Sequence, residues 1–152
     1  MSIQIEVTEA PPRGGTPDYC DSFASRRPGS DTRSAEDWHR AAFEGSPAPF
    51  RLGLPPLWRT ALGLRMGPRP SPDHVLGWRR VSAEPDLAVY ATQSPIAEAN
   101  LVMRLEPNRA VLTTFVHYKR PRLVKAIFVV AGPIHRAIIP YLLDHAARSA
   151  RP

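Results

Sequence analysis

Residues 99–118, ANLVMRLEPNRAVLTTFVHY, carry the pattern that decides the fold. Two runs rich in β-branched, aromatic and aliphatic residues flank Glu106-Pro107-Asn108, a turn signal, and so short a connection makes them antiparallel neighbours. With the turn at Pro107 and Asn108, Leu105 opposes Ala110, Met103 opposes Leu112 and Leu101 opposes Thr114. One face of the hairpin is then almost wholly apolar and is predicted to be core. The other carries Asn100, Arg104, Glu106, Arg109 and Thr113, with Phe115 and His117 at its far end.

Upstream, His74–Val81 and Leu87–Gln93 have the same strand-like composition and are bounded by Glu84-Pro85-Asp86 and Ser94-Pro95. Parity places Trp78, Leu87, Val89 and Ala91 on one face, matched to the apolar one, together with Arg80 and Gln93. Thr114 and Tyr118 join that face from the last strand. Ile3–Val7 alternates as a fifth, edge strand before Pro11, Pro12, Gly14 and Gly15 end it. Asp18 is placed to cap a helical turn through Phe23, and Ser34 with Asp37 resembles a capping box for a helix to about Glu44, its apolar side Trp38, Ala41, Ala42 and Phe43. Residues 45–73 are proline-rich, interrupted by a short amphipathic helix over Leu57–Met66, and are read as a lid over the sheet or a plain connection. Downstream, Leu123, Ile127, Val130, Ile134, Ile138 and Tyr141 recur at helical spacing, a stripe expected to pack on the sheet in a helix running to about Arg148. Pro133 and Pro140 lie inside it and predict a kink near Gly132-Pro133. The expected architecture is α+β, with an antiparallel sheet of about five strands, short N-terminal helices and a long kinked C-terminal helix packed on the sheet.

A chain of 152 residues suits one domain, 1–152, with one core. The net charge of +6 invites a nucleic-acid reading, but Lys119 and Lys125 are the only lysines among 20 basic residues and the arginines are scattered. The one dense run, Lys119, Arg120 and Arg122, reads as a solvated corner, and no nucleic-acid partner is expected. The opening residues form no basic or apolar leader, which predicts a cytoplasmic protein. Leu123–Leu143, interrupted by Lys125, His135, Arg136 and two prolines, is not expected to span a membrane. Cys20 is the only cysteine, so no internal disulfide or multi-cysteine zinc site is available. His39, His74, His117, His135 and His145 show no HxH or HExxH spacing, and no metal is expected. Neither a Gly-rich phosphate loop nor a GxSxG elbow occurs, and no cofactor is expected.

The runs Gly132-Pro133-Ile134-His135-Arg136 and Ile139-Pro140-Tyr141-Leu142-Leu143, with Asp18-Tyr19, Trp38 and Gly77-Trp78 upstream, resemble an uncharacterised domain-of-unknown-function family of small bacterial proteins over most of residues 18–148. The resemblance implies a START-like, or helix-grip, fold, the class of plant allergen-like proteins and aromatic polyketide cyclases, in which a curved sheet and a C-terminal helix enclose an apolar pocket. Five strands are fewer than the six or seven of the full fold, which bears on the size of any pocket.

His135 falls at the flank of the apolar stripe near Phe128 and Ile139, where an imidazole aimed into a pocket would act as acid or base near neutral pH, the commoner alternative being a core histidine bonded to a backbone carbonyl. Arg80 would hold a carboxylate or enolate oxygen and Tyr118 would polarise a carbonyl, although both lie near strand ends and could simply reach solvent at the rim. Trp78, Gln93, Met103, Thr114 and Phe128 complete the expected ligand-binding set, although Trp78 and Met103 are of types that more often pack than recognise. The expected function is to bind a medium-sized apolar molecule and, by fold analogy, to cyclise a polyketide-type substrate without metal or cofactor. The alternatives are a non-catalytic carrier or sensor of lipid-like ligands, or a small protein-interaction domain; homo-oligomerisation is left open.

Overall fold

The computed structural model describes residues 2–68 and 71–149, so residues 69 and 70 of the proline-rich stretch lie outside it. The elements in chain order are β1 (Ile3–Ile5), β2 (Tyr19–Arg26), α1 (Ala35–Phe43), α2 (Ala48–Leu62), β3 (His74–Val75), β4 (Trp78–Glu84), β5 (Leu87–Gln93), β6 (Ala97–Leu105), β7 (Arg109–Tyr118) and α3 (Pro121–Arg148). The strands form one antiparallel sheet in the order β1-β2-β7-β6-β5-β4-β3. The α+β class and the C-terminal helix are as expected. The sheet has seven strands rather than five.

Two misread stretches account for the difference. Residues expected to begin a helical turn at Asp18 instead form β2, which pairs with β7 along its whole length from Tyr19↔Val116 to Arg26↔Arg109. The run His74–Val81 is a hairpin rather than one strand: Leu76 and Gly77, at φ 48° and 93°, form a two-residue turn between Val75 and Trp78. Positive φ at both central positions suits the right-handed twist of the flanking strands, and Gly77 takes it without strain.

The β6–β7 register is the one read from sequence, with Leu105↔Ala110, Met103↔Leu112 and Leu101↔Thr114. The parity assigned to β5 is corrected. A bulge between Arg80 and Ser82 inserts one residue into β4, so Trp78 and Arg80 share a face with Ala88 and Tyr90, and Leu87, Val89, Ala91 and Gln93 turn to the other side. On that outer face Val89, Val102 and Phe115 pack beneath Val7, and the chain between β1 and β2 is held across it by ion pairs Glu9–Arg104 (2.8 Å) and Arg13–Glu98 (2.9 Å).

The helices cover the inner face. Ser34 caps α1 in a reciprocal capping box with Asp37, and Ala35, Trp38, His39, Ala42 and Phe43 are buried beneath it. The helix expected over Leu57–Met66 lies earlier and is longer, Ala48–Leu62: prolines at its first turn suit a helix start, and Gly63 in the left-handed region ends it. α3 runs through Pro133 and Pro140, and the carbonyls that these prolines leave without an intrahelical donor belong to exposed Val129 and Arg136, where water reaches them. Its buried residues are Val124, Gly132, Ile139, Leu142, Leu143 and Ala146. The stripe expected to pack on the sheet is therefore out of phase: Leu123, Val130, Ile134 and Tyr141 are all more than 40% exposed. Among the described residues, α3 is the one helix long and apolar enough to cross a membrane by length and composition, and only 22% of its most apolar stretch is buried in the protein.

His39 is fully buried, stacked on Tyr90 at 3.9 Å and packed against Phe43 at 4.6 Å, with no hydrogen-bond partner at either ring nitrogen among the described residues. Burial, assisted by the Arg40 charge, pushes its pKa down to about 3. The unfolded chain binds this proton near pH 6.5 and the folded chain does not, so stability is lost as pH falls from about 6.5 toward 3. Between pH 7 and pH 5 the loss from this residue is expected to be about 2 kcal/mol. Urea unfolding at the two pH values should show that loss in the wild type and not in His39→Phe.

Candidate functional site

α2 and α3 do not close fully on the sheet. Short side chains line three walls of the space between them, with Ala61 on α2, Ala126 and Ala131 on α3 and Thr114 on β7, and the volume left is about 340 Å³. A smaller cavity of about 60 Å³ continues inward toward Leu64, Trp78 and Leu101. Phe43, Trp58, Thr114, Phe128, His135 and Ile139 line both. The larger volume sits at the lower end of small-molecule sites and is about twice that of a cavity known to hold benzene, ~150 Å³. Its wall also includes Leu57, Val130 and Ile134, which are 44%, 66% and 43% exposed, so the cavity reaches the surface between the two helices.

Apart from the Trp58 indole, the polar side chains in this wall are Thr114 and His135. Thr114 Oγ1 is buried and makes no hydrogen bond among the described residues. His135 Nε2 lies 3.1 Å from Oδ2 and 3.3 Å from Oδ1 of Asp21, a carboxylate only 2% exposed. β2 places it there: Asp21 is directly opposite Thr114, on the strand face that looks at the helices. Asp21 Oδ2 also accepts from the Tyr19 hydroxyl at 2.5 Å, and Tyr19 in turn accepts from Arg136 Nη1 at 3.3 Å. The Tyr19 ring packs on Phe128, with centroids 4.9 Å apart, and meets His135 edge-on at 6.0 Å. Burial, then the hydrogen bond to Asp21, raises the Tyr19 pKa well above that of an ordinary phenol, so Tyr19 stays a donor. Because a carboxylate accepts and does not donate, Nε2 carries a proton, and in the neutral imidazole Nδ1 is then the nitrogen with the free lone pair. Nδ1 has no hydrogen-bond partner among the described residues. A carboxylate-oriented imidazole beside an apolar volume is equipped to take up and return a proton.

The residues proposed from sequence divide accordingly. His135, Thr114 and Phe128 line both cavities, and Trp78 lines the inner one, edge-on to Trp58 at 5.5 Å. Arg80 does not join them: it is held at the rim by Glu36 of α1 at 2.9 Å and Asp73 at 3.3 Å. Tyr118 packs on Phe128 at 5.7 Å but is absent from the lining of either cavity. Met103 is wholly buried core. Gln93, turned by the β4 bulge, is exposed on the opposite side and accepts a long bond from Lys119 Nζ. Tyr19 and Asp21 were missed because their strand was read as a helical turn, Asp21, Ser22 and Ser25 breaking the apolar alternation that would have marked it. Leu54 was missed with the true extent of α2, and Trp58, although inside the expected helix, was not among the residues assigned to the site. Among the described residues no group of three or more His, Cys, Asp or Glu side chains is placed to hold a metal ion. No protein-family model matches the chain, and no curated protein and no solved structure matches it.

Two substitutions test this geometry by urea denaturation. Thr114→Val removes a buried hydroxyl that has no partner while keeping its shape, and is expected to raise stability by about 1 kcal/mol. Asp21→Ala leaves the Tyr19 hydroxyl and His135 Nε2 without their acceptor and is expected to lower it by about 1–3 kcal/mol.

Proposed function

We propose that the protein encloses an apolar small molecule between α2, α3 and the sheet, and that His135, oriented by Asp21, performs acid–base chemistry on it without a metal or organic cofactor. The observation that carries this reading is the 340 Å³ apolar volume with a carboxylate-held imidazole in its wall. Few polar groups in an apolar pocket orient a ligand rather than bind it broadly, so the ligand is largely hydrocarbon or aromatic with one polar end near His135 and Thr114. A helix-grip assignment is supported by the order of elements: a long strand, a two-helix connection, a run of antiparallel strands and a C-terminal helix over the cavity. Within that reading the reaction is a cyclisation of a polyketide-type chain, in the cytoplasm, in which the cavity selects a folded conformer and Nδ1 of His135 moves the proton. Arg80 and Tyr118 are left out of this chemistry, since neither lines the cavity.

The second reading is a carrier of lipid-like ligands, favoured by how little polarity the wall contains. A domain whose interior is filled by its own side chains fits less well with so large a volume. N-phenyl-1-naphthylamine, a neutral apolar fluorophore, tests occupancy in solution. Saturable one-to-one binding is expected, weakened by about tenfold or more in Ala131→Phe, which fills the cavity from α3. Fluorescence that does not saturate, or that the filling variant leaves unchanged, would remove both the enzyme and the carrier readings. His135→Gln then separates those two: binding persists in both, and turnover of a candidate substrate is lost only in an enzyme.

A further inference from the structure

The outer surface of α2 and α3 is unlike the rest of the molecule. Leu52 and Leu57 on α2 and Val129, Val130, Ile134 and Tyr141 on α3 are between 43% and 73% exposed. Leu57, Val130 and Ile134 also line the cavity, so this apolar surface surrounds its opening. Charge on the same two helices is one-sided. α2 carries Arg51 and Arg59 and no acid; α3 carries Arg122, Lys125, Arg136 and Arg148 against one carboxylate, Asp144, which accepts from Ser2. Arg59, Arg122 and Lys125 are exposed and make no ion pair among the described residues. Helical spacing puts the charges beside the apolar groups: Lys125 is one turn before Val129, Arg122 two turns before it, and Arg59 two turns after Leu52.

From this we propose that the α2–α3 surface docks on an anionic lipid bilayer, with α3 lying in the plane of the interface and the cavity mouth turned to the lipid. Apolar side chains that enter the headgroup boundary, flanked by uncompensated Lys and Arg, are the chemistry of an interfacial helix. A crossing orientation would pull α3 off α1 and β2 and break the Asp21–His135 pair, whereas docking in the plane keeps every buried contact of the helix. A second copy of the chain is a poorer occupant, because a symmetric contact here would bring two cationic surfaces together. The proposal deepens the ligand-binding reading, since a bilayer is a store of apolar molecules that the mouth would then face.

Sedimentation of the full-length protein with vesicles tests it. Binding to phosphatidylcholine mixed with phosphatidylglycerol is expected to exceed binding to phosphatidylcholine alone by at least about tenfold and to fall as sodium chloride is raised. Arg122→Glu and Lys125→Glu are each expected to weaken it by about fivefold or more, and Leu52→Asp with Val129→Asp to abolish it. All four positions are exposed and none lines the cavity, so N-phenyl-1-naphthylamine binding in solution should be unchanged in these variants. Fluorophore binding without vesicle binding would overturn docking alone. Vesicle binding without fluorophore binding would overturn the cavity reading alone. Equal binding to both vesicle types, binding indifferent to the Leu52 and Val129 substitutions, or concentration-dependent self-association with no vesicle binding would each overturn the proposal.

Discussion

The pairing of β2 with β7 is the contact on which the rest depends. It joins residues roughly 90 positions apart and runs unbroken over the eight residues of β2. Closing so long a loop costs only slowly growing entropy, but the cost falls before most native contacts form, so the strand must be held by more than its ladder. Phe23 enters the core opposite Leu112, Ser22 Oγ meets Thr113 Oγ1 at 2.6 Å on the outer side, and Asp21 is satisfied from α3 and from Tyr19. Phe23, Ser22 and the His135 side of Asp21 therefore find their partners only when β7 and α3 are in place.

The same pairing makes the site. Asp21 has to be buried to stand beneath α3, and a buried carboxylate is tolerable only where donors surround it. His135 and Tyr19 supply them, and in doing so the imidazole is set in one tautomer next to a volume walled by alkyl and aromatic groups. Above the cavity, α3 divides its labour along its length. Its C-terminal half packs with Ile139, Leu142, Leu143 and Ala146, while its middle turns Val129, Val130 and Ile134 away from the core. The opening and the exposed apolar surface are two consequences of that one placement.

Much of the fold could be read in advance where the determinants were local. The β6–β7 hairpin needed only a turn at Pro107-Asn108 and period-two alternation, and α1 needed only Ser34 and Asp37. β2 was illegible because Asp21, Ser22 and Ser25 interrupt the apolar alternation that marks a strand, and the partners of Ser22 and Asp21 lie on β7 and α3. One inserted residue at the β4 bulge was enough to reverse β5, moving Gln93 to the outer face and Tyr90 to the inner. In the site, Thr114 was legible from strand parity, because the β6–β7 register was read correctly; His135 and Phe128 were placed from helical spacing at the flank of a stripe whose phase as a whole was misread. Arg80 has the right face but is drawn to the rim by Glu36, a pairing that no spacing along the chain could show.

By itself, then, the sequence determined the α+β class, the central hairpin and its register, the capped first helix and the long apolar last helix, since propensity, turn chemistry and periodicity act over a few residues. The tertiary structure alone decided the seven-strand sheet, the phase of α3, the volume under it and the meeting of Asp21 with His135. Apart from the local turn that splits β3 from β4, the added strand β2 and the meeting of Asp21 with His135 depend on contacts between segments about a hundred residues apart, and the volume on short side chains that leave space because of what stands opposite them. A carboxylate on one strand becomes the partner of an imidazole on a distant helix only when the sheet between them is closed.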